Sequence, residues 1–156
     1  MKSAVLALIA TVFLGTSAAV DADEVAVIVN KSNFVNNLSM GKLRKIMLSE
    51  ELKWPTGSRI IVWMTPAGGR ERTGVLKLVC GMSETDYTLH FMHSSFKEPV
   101  TLPKTAASGP LVRELVAGWV NGFALIWASD VDDTVKVLSI EGTRPGQPGY
   151  KINVAR

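Results

Sequence analysis

The chain is short, moderately apolar and weakly basic, with 156 residues, 47% of them hydrophobic, and a formal net charge of +3 at pH 7. The basic residues are spread over several predicted elements, which argues against a nucleic-acid-binding protein. Cys80 is the only cysteine, so the sequence excludes an intramolecular disulfide and a lipid-anchored cysteine beside a leader. Stability must therefore come from the packing of a hydrophobic core.

The first residues have the pattern of an export leader. Lys2 supplies a positive start, residues 4–15 carry no charge, and small residues follow as far as Ala19. This apolar run is shorter than the ~18 residues expected of a membrane-spanning helix, and no later run comes closer. We therefore expect a signal peptide over residues 1–22 and one soluble domain over residues 23–156, without a membrane span in the mature chain. A periplasmic or secreted location follows.

The first half of this domain alternates strands with helices. Residues 24–30 are a β-branched apolar run and predict a buried strand, and residues 59–64 predict a second strand. Between them, Ser39 is placed to cap a helix, and residues 55–57 predict a turn. The apolar side of this helix consists of Met40, Leu43, Ile46 and Met47. A second helix, which ends at Gly81, carries the stripe Val75, Leu76, Val79 and Cys80.

The second half begins with a third helix, which Ser83 and Asp86 open as a capping pair. Residues 94–108 are predicted to be irregular, and Pro110 then begins a fourth helix. The apolar side of the fourth helix consists of Leu111, Val112, Leu115, Val116 and Trp119. Strands are predicted over residues 123–127 and 135–140, and the tail is loop-like. Alternating strands and helices predict an α/β domain with a mixed, mainly parallel sheet flanked by helices.

The best candidate site is the glycine-rich turn between the second strand and the second helix. It offers Gly68 and Gly69 as backbone donors, Arg70 and Arg72 as charges, and Thr73 as a hydroxyl donor. Backbone N–H groups at a helix start attract anions, so these residues predict a site for a small anion with no cofactor. The alternative is an ordinary turn whose arginines are solvated or paired with acids.

Other chemistry has weaker signals. His90 and His93 share a helix face with Asp86, but two histidines without further ligands at the right spacing favour a core role and no metal site. Cys80 lies on an apolar stripe, which favours packing over catalysis. Motifs of hydrolases, nucleotide-binding enzymes and dinucleotide-binding enzymes are absent from the sequence, so we expect a protein that is not an enzyme. Among the tryptophans, Trp54 is the best candidate for a pocket or a partner surface.

The order of residues along the chain resembles the phosphate-type periplasmic solute-binding proteins. The matching positions are Leu43, Ile46, Trp54, Pro55, Gly57, Ile60 or Ile61, Gly69 to Glu71, Gly122, residues 135–142, Gly149 and Tyr150. The resemblance covers roughly residues 25–150. It implies a single periplasmic-binding-protein-like lobe of type 2, related to the substrate-binding proteins of phosphate ABC transporters. Phosphate or another small oxyanion is the implied ligand, and a membrane transporter or other envelope protein the implied partner.

The ligand loop departs from the pattern of that family, whose phosphate loop reads as Arg followed by Gly-Ser-Gly-Thr. In this chain Trp63 stands at the Arg position, Ala67 at the Ser and Gly69 at the Thr, and Ser49 replaces a common Gly. Two hydroxyl donors and one guanidinium to an oxyanion are therefore missing. The sequence leaves two hypotheses, an anion-binding domain accessory to uptake or sensing, and a ligand-free protein interaction module on the same fold.

Overall fold

The structure, a computed structural model, describes residues 22–97 and 100–156. The signal peptide predicted over residues 1–22 lies outside this part except for Ala22 and stays a prediction. None of the described helices is both long enough and apolar enough to span a membrane.

The described chain forms four helices and eight strands. The strands are β1 (Ala22–Asn30), β2 (Asn37–Leu38), β3 (Ile61–Met64), β4 (Lys104–Thr105), β5 (Gly122–Trp127), β6 (Val135–Val137), β7 (Ser139–Ile140) and β8 (Asn153–Ala155). The helices are α1 (Met40–Met47), α2 (Arg70–Val75), α3 (Glu84–Ser95) and α4 (Gly109–Gly118). The helix α2 continues as a π-helical turn over Leu76–Cys80, and a 3₁₀ turn over Ala128–Asp130 follows β5.

The large sheet has the order β4-β3-β5-β1-β6, and β8 also pairs with β1. The strand β1 is antiparallel to β5, β6 and β8, whereas β3 is parallel to both β4 and β5, so β1 alone runs against the other strands. The prediction of a mixed, mainly parallel sheet is confirmed. A separate parallel pair joins β2 to β7.

This topology places different sets of loops at the two ends of the central strands. At the carboxyl edge, where β3, β4 and β5 end, lie the loops of residues 65–69, 106–108 and 128–130 and the start of β1. At the amino edge, where β3 and β5 begin, lie the loops of residues 31–36, 54–58 and 119–121 and the end of β1. The register confirms the arrangement, because Val25 pairs with Trp127 and Val29 with Phe123.

The strand β1 is buried on both faces, as expected of a central strand covered by two layers of helices. Val25, Val27 and Val29 face the larger core, which α1, α2 and α3 cover. Ala26 and Ile28 face a smaller core under α4. The uninterrupted apolar run that predicted this strand therefore reflects burial from both sides.

Local signals placed most helix ends correctly. The Ser39 hydroxyl accepts a hydrogen bond from the Lys42 N–H, and Ser83 and Asp86 form the predicted capping box of α3. The predicted end of the second helix is also confirmed, because Gly81 has a φ of 67° and closes the π-helical turn. Chain-local hydrogen bonding is sufficient to fix such ends.

Several predicted elements differ from the structure, most of them because tertiary pairing decides them. The segment predicted to be irregular over residues 94–108 contains β4, which pairs with β3. The segment 135–140 divides between two sheets. Its first part, β6, pairs with β1, the Leu138 N–H donates to the Val27 carbonyl, and its last part, β7, pairs with β2. The tail contributes β8, whose Val154 packs so closely on α2 that a Cβ at Gly74 would lie 2.5 Å from it. Trp119 is 52% exposed, because α4 ends at Gly118 and the backbone there turns extended.

Candidate functional site

The predicted anion loop lies at the carboxyl edge, between β3 and α2. Gly68 has a φ of 86°, which favours glycine, and turns the chain into Gly69, the residue that precedes α2. Gly69 is extended and has no side chain that could cap the helix, so the first N–H groups of α2 have no side-chain cap among the described residues. Open α/β sheets bind their ligands at this edge, and helix starts there favour anions.

Arg70 lies at this edge and contacts the start of β1. Its guanidinium donates to the carboxylate of Asp23 and, at 3.1 Å, to the carbonyl of Ala155, and it lies 4.6 Å from the ring centre of Trp127. Arg156 also donates to Asp23, at 2.8 and 3.0 Å. Hydrogen bonds from Arg156 and then Arg70 lower the pKa of Asp23 below its usual value. The charge of Arg70 is therefore matched by a carboxylate that remains accessible to solvent.

Arg72 is more deeply placed and braces the loop. Its guanidinium makes a two-pronged pair with Glu84, at 2.9 Å from Nε and 2.6 Å from Nη2. The third contact is a hydrogen bond of 3.1 Å from Nη1 to the carbonyl of Thr65. Only 12% of the Arg72 side chain is exposed. This arginine thus ties the end of β3 to the start of α3.

Glu71 is the functional candidate that the sequence did not single out. It is a buried carboxyl group in the first turn of α2, and its Oε1 atom has no hydrogen-bond partner in the described part of the chain. Burial, and secondarily the charge of Asp130, raise the pKa of Glu71 to about 7, while the main-chain N–H of Trp127 opposes the shift. Residue type gave no signal of this, because most glutamates beside arginines are exposed and paired.

The remaining polar groups of the carboxyl edge come from the loop after β5. A Cβ at Gly109 would lie 2.5 Å from an Asp130 carboxylate oxygen, so this acid lies against the start of α4. Arg113 donates to the carbonyl of Asp130 at 2.6 Å and forms an ion pair with Asp132 at 3.1 Å. Acidic and basic side chains therefore lie side by side at the start of α4 as well.

The structure brings together part of the predicted site. Gly68, Gly69 and Arg70 lie exposed at the carboxyl edge, Thr73 lies exposed one turn along α2, and Arg72 points inward to Glu84. The arginines pair with Asp23 and Glu84 and not with their sequence neighbour Glu71. The neutralising partners come from β1 and α3, which no local pattern would have shown.

The positions that depart from the family pattern have defined surroundings in the structure. Trp63 is half-buried in β3 with the Lys104 ammonium 5.7 Å from its ring centre, and Ala67 is exposed in the loop. Ser49 has a φ of 56°, which is uncommon for residues other than glycine, the residue that the family has there. Its hydroxyl donates to the carbonyl of Thr101 at 2.8 Å.

The other sequence candidates do not assemble into a reactive centre. His90 Nε2 lies 3.1 Å from the carbonyl of Leu48, whereas His93 is exposed. No cluster of three or more potential metal ligands occurs within residues 22–97 and 100–156. Burial raises the pKa of the Cys80 thiol to about 11, so this thiol stays protonated and unreactive at neutral pH.

Solved structures with a similar fold include proteins described as phosphate receptors or phosphate-binding proteins. A phosphate transport receptor from Vibrio cholerae superposes with a TM-score of 0.71 at 19% identity, over 87% of this chain and 55% of its own. A phosphate ABC transporter substrate-binding protein from Clostridium perfringens, solved with bound phosphate, has a TM-score of 0.71 at 20% identity, over 87% and 54%. PstS from Borrelia burgdorferi follows with 0.70 at 13%, over 86% and 56%.

These likenesses establish the fold. No family model and no curated protein matches the sequence. The chain spans slightly more than half the length of the solved receptors, and its identity to them is 20% or less. The predicted resemblance is thus confirmed in three dimensions, and the chain has the α/β architecture of part of a phosphate-type solute-binding protein.

Proposed function

We propose that this domain is an exported, non-enzymatic solute-binding lobe that takes phosphate or another small oxyanion at the start of α2, as an accessory to uptake or sensing. The donors are the backbone N–H groups that follow Gly68 and Gly69, the guanidinium of Arg70 and the hydroxyl of Thr73. Arg72, whose charge is paired with Glu84, holds the loop in place through its bond to the Thr65 carbonyl.

The observation that carries this proposal is the uncapped, exposed start of α2 at the carboxyl edge of a receptor-type sheet. Helix starts supply oriented N–H groups and a partial positive charge to an anion. The bond from Arg70 to the carboxylate of Asp23 supports this proposal, because a carboxylate is itself an oxyanion. An incoming anion would therefore compete with an internal carboxylate.

This competition makes affinity weak and testable. By itself this lobe would leave the ligand partly solvated, so for the isolated domain we expect a Kd of about 1 mM at low ionic strength. Amide chemical shifts of the labelled protein, followed by NMR during titration with phosphate and then sulfate, report both the affinity and the residues contacted. The largest shifts are expected at Gly68 to Thr73.

Two variants and one control sharpen the measurement. Asp23→Asn removes the competing carboxylate and should tighten phosphate binding severalfold, whereas Arg70→Ala should abolish it. Lys77→Ala removes an exposed cation from the far end of the same helical segment and should change nothing. Shifts scattered over the surface, or equal affinities in all four proteins, would contradict the anion site.

A second candidate function, a protein interaction module that binds no solute, is favoured by one specific observation. Both guanidinium groups of the predicted site already have carboxylate partners within the chain. If neither the wild type nor Asp23→Asn binds any oxyanion, this alternative is favoured. Removing the carboxylate that holds Arg70 would then have created no anion site.

A further inference from the structure

The helix α3 is apolar on two opposite sides. Tyr87 and Phe91 face the core and are buried. On the outward side, Leu89 and Met92 are 43% and 53% exposed, and Phe96, which follows the last turn, is 86% exposed. Their spacing of i, i+3 and i+7 places these three in one stripe along the helix. The outward side of a surface helix is ordinarily polar, so this stripe indicates a second packing surface.

A pocket of about 260 Å³ lies beside this stripe, between α3 and the loop that precedes β4. The residues that line it include Thr88, Met92, Ser95, Leu102 and Pro103. A cavity of roughly 150 Å³ holds a benzene molecule, so this pocket is large enough for a phenylalanine ring. The same surface therefore presents an exposed aromatic ring, that of Phe96, and a pocket that fits one.

One flank of the stripe carries two opposite charges, Asp86 near the start of α3 and Lys97 just beyond its end. The Lys97 N–H continues the helical turn by donating to the Ser94 carbonyl at 3.0 Å. Asp86 and Lys97 are eleven residues apart, close to three full turns, so both lie on the same flank. Both are exposed, and neither forms an ion pair with another described residue. Hydrogen bonds from Ser83 lower the pKa of Asp86, so its carboxylate is charged at neutral pH.

The other flank of the stripe carries the hydroxyl groups of Thr88 and Ser95. These hydroxyls donate to the carbonyls of Glu84 and Phe91 in the same helix, at 2.9 and 2.7 Å. Their hydrogen-bond donors are therefore already used within the helix. This flank can be covered by another surface without leaving those donors unsatisfied.

These features match one another under a two-fold axis. In a two-fold interface, each contact from one residue to a second is repeated in reverse. When two α3 helices pair antiparallel with Met92 at the axis, Leu89 of one copy lies near Phe96 of the other. Asp86 and Lys97 lie six and five residues from this axis, so each comes opposite its counter-charge. A parallel pair would instead place like charges together, which is unfavourable.

We propose that the outward stripe of α3 packs antiparallel against the same stripe of a second copy of this chain. Phe96 of each copy then enters the pocket beside Thr88 of the other, and Asp86 pairs with Lys97 across the interface. This inference does not depend on the proposed anion site, because the stripe lies on α3 and contains none of the residues from Gly68 to Thr73.

A lipid surface fits this stripe less well. Helices that lie on membranes are rich in Lys and Arg beside their apolar side. The flanks of this stripe carry one lysine, one acid and two hydroxyl groups, those of Lys97, Asp86, Thr88 and Ser95. An acid and a base at matched distances from the centre of the stripe are what a second copy requires and what a bilayer does not.

The first test is sedimentation equilibrium of the mature chain from about 1 μM to about 1 mM. We expect a monomer–dimer equilibrium with a Kd on the order of 100 μM, since a few side chains from each copy form the apolar contact. High salt should weaken the dimer, because it screens the charge pairs at its rim. Co-sedimentation with vesicles containing about one third phosphatidylglycerol tests the lipid alternative.

Variants of exposed side chains locate the interface without disturbing the core. Met92→Asp and Phe96→Asp place a charge at the axis and in the pocket, and each should weaken the dimer by about tenfold or more. Lys97→Glu sets two acids against each other and should weaken it by about threefold to tenfold. Phe34→Asp is the matched control, because Phe34 is as exposed as Phe96 but lies in a loop at the amino edge. Thermal unfolding checks that each variant keeps the fold.

Cross-linking tests the antiparallel orientation. Under mild oxidation Met92→Cys should form a disulfide-linked dimer, because this position faces its own copy. Thr85→Cys should not, because Thr85 lies on the same stripe but seven residues from the axis, which separates the two copies of this position by about 20 Å. The native Cys80 does not interfere, since it is buried and the pKa of its thiol is raised to about 11.

The outcomes are distinct. A dimer that the α3 variants weaken, that Phe34→Asp leaves unchanged and that Met92→Cys alone cross-links supports the proposal. A monomer at every concentration, with or without binding to vesicles, would overturn it. So would a dimer that Met92→Asp and Phe96→Asp leave intact, or equal cross-linking at positions 85 and 92.

Discussion

The two edges of the sheet use similar residues in opposite ways. At the carboxyl edge, Arg70 and Arg72 are held by Asp23 and Glu84, and a buried acid, Glu71, lies beside them. At the amino edge, Lys53 and Arg59 have no acid partner in the described chain. A basic residue in a sequence is therefore a candidate for ligand binding only once its partners within the chain are known, because a carboxylate of the same chain can already neutralise it.

The largest expected effect on stability comes from substituting the more buried arginine of the carboxyl edge, Arg72. Arg72→Ala removes a mostly buried group and leaves Glu84 and the Thr65 carbonyl without their partner, so it should lower the free energy of unfolding by about 2–3 kcal/mol. Arg70→Ala removes an exposed pair and should cost far less. Urea denaturation of both variants measures the contrast, and similar losses would show that Arg72 does not brace the loop.

The buried acid of the carboxyl edge should make stability depend on pH. Because the pKa of Glu71 rises from 4.5 unfolded to about 7 folded, the folded state holds this proton more tightly. The free energy of unfolding should therefore fall as pH rises from 4.5 through 7. The loss of stability is complete once Glu71 is fully ionised, above pH 7. Glu71→Gln removes the charge and should stabilise the protein at pH 8 by about 2–3 kcal/mol, with little effect at pH 4.5.

Thermal and urea unfolding over this pH range check that prediction. Glu50→Gln, at an exposed position, serves as the control and should follow wild type. A wild-type protein whose stability differs from that of Glu71→Gln by the same amount at every pH would mean that Glu71 does not titrate in this range.

The smallest expected effect on stability concerns Trp54, at the amino edge of the sheet. The indole N–H of Trp54 is buried without a partner among the described residues, whereas the Tyr87 hydroxyl donates to the Met47 carbonyl at 2.6 Å. Trp54→Phe removes an unmade hydrogen bond while losing some packing, so it should change stability by less than about 1 kcal/mol. Tyr87→Phe should cost about 1–2 kcal/mol. Denaturant titration compares the two, and a larger loss for Trp54→Phe would indicate a bound group on its N–H.

Much of the fold could be predicted from local patterns, whereas the ion-pair partners of the candidate site residues could not. Ser39, Ser83 and Gly81 fixed helix ends because capping involves residues within a few positions. The position of Gly68 to Arg70 between a strand and a helix was likewise predictable. That Arg70 meets Asp23, 47 positions away, depends on the pairing of β1 in the middle of the sheet.

By itself, the sequence determined the α/β class, the main strands and helices, and the strand-to-helix turn with its exposed glycines, because periodicity and capping act over a few residues. Only the tertiary structure decided that residues 135–140 divide between two sheets and that the tail adds β8. It also decided that Arg70 and Arg72 pair with Asp23 and Glu84, and that Trp54 is buried against Phe123. These features depend on long-range pairing with β1 and on the meeting of separate loops at each edge, which no local pattern specifies.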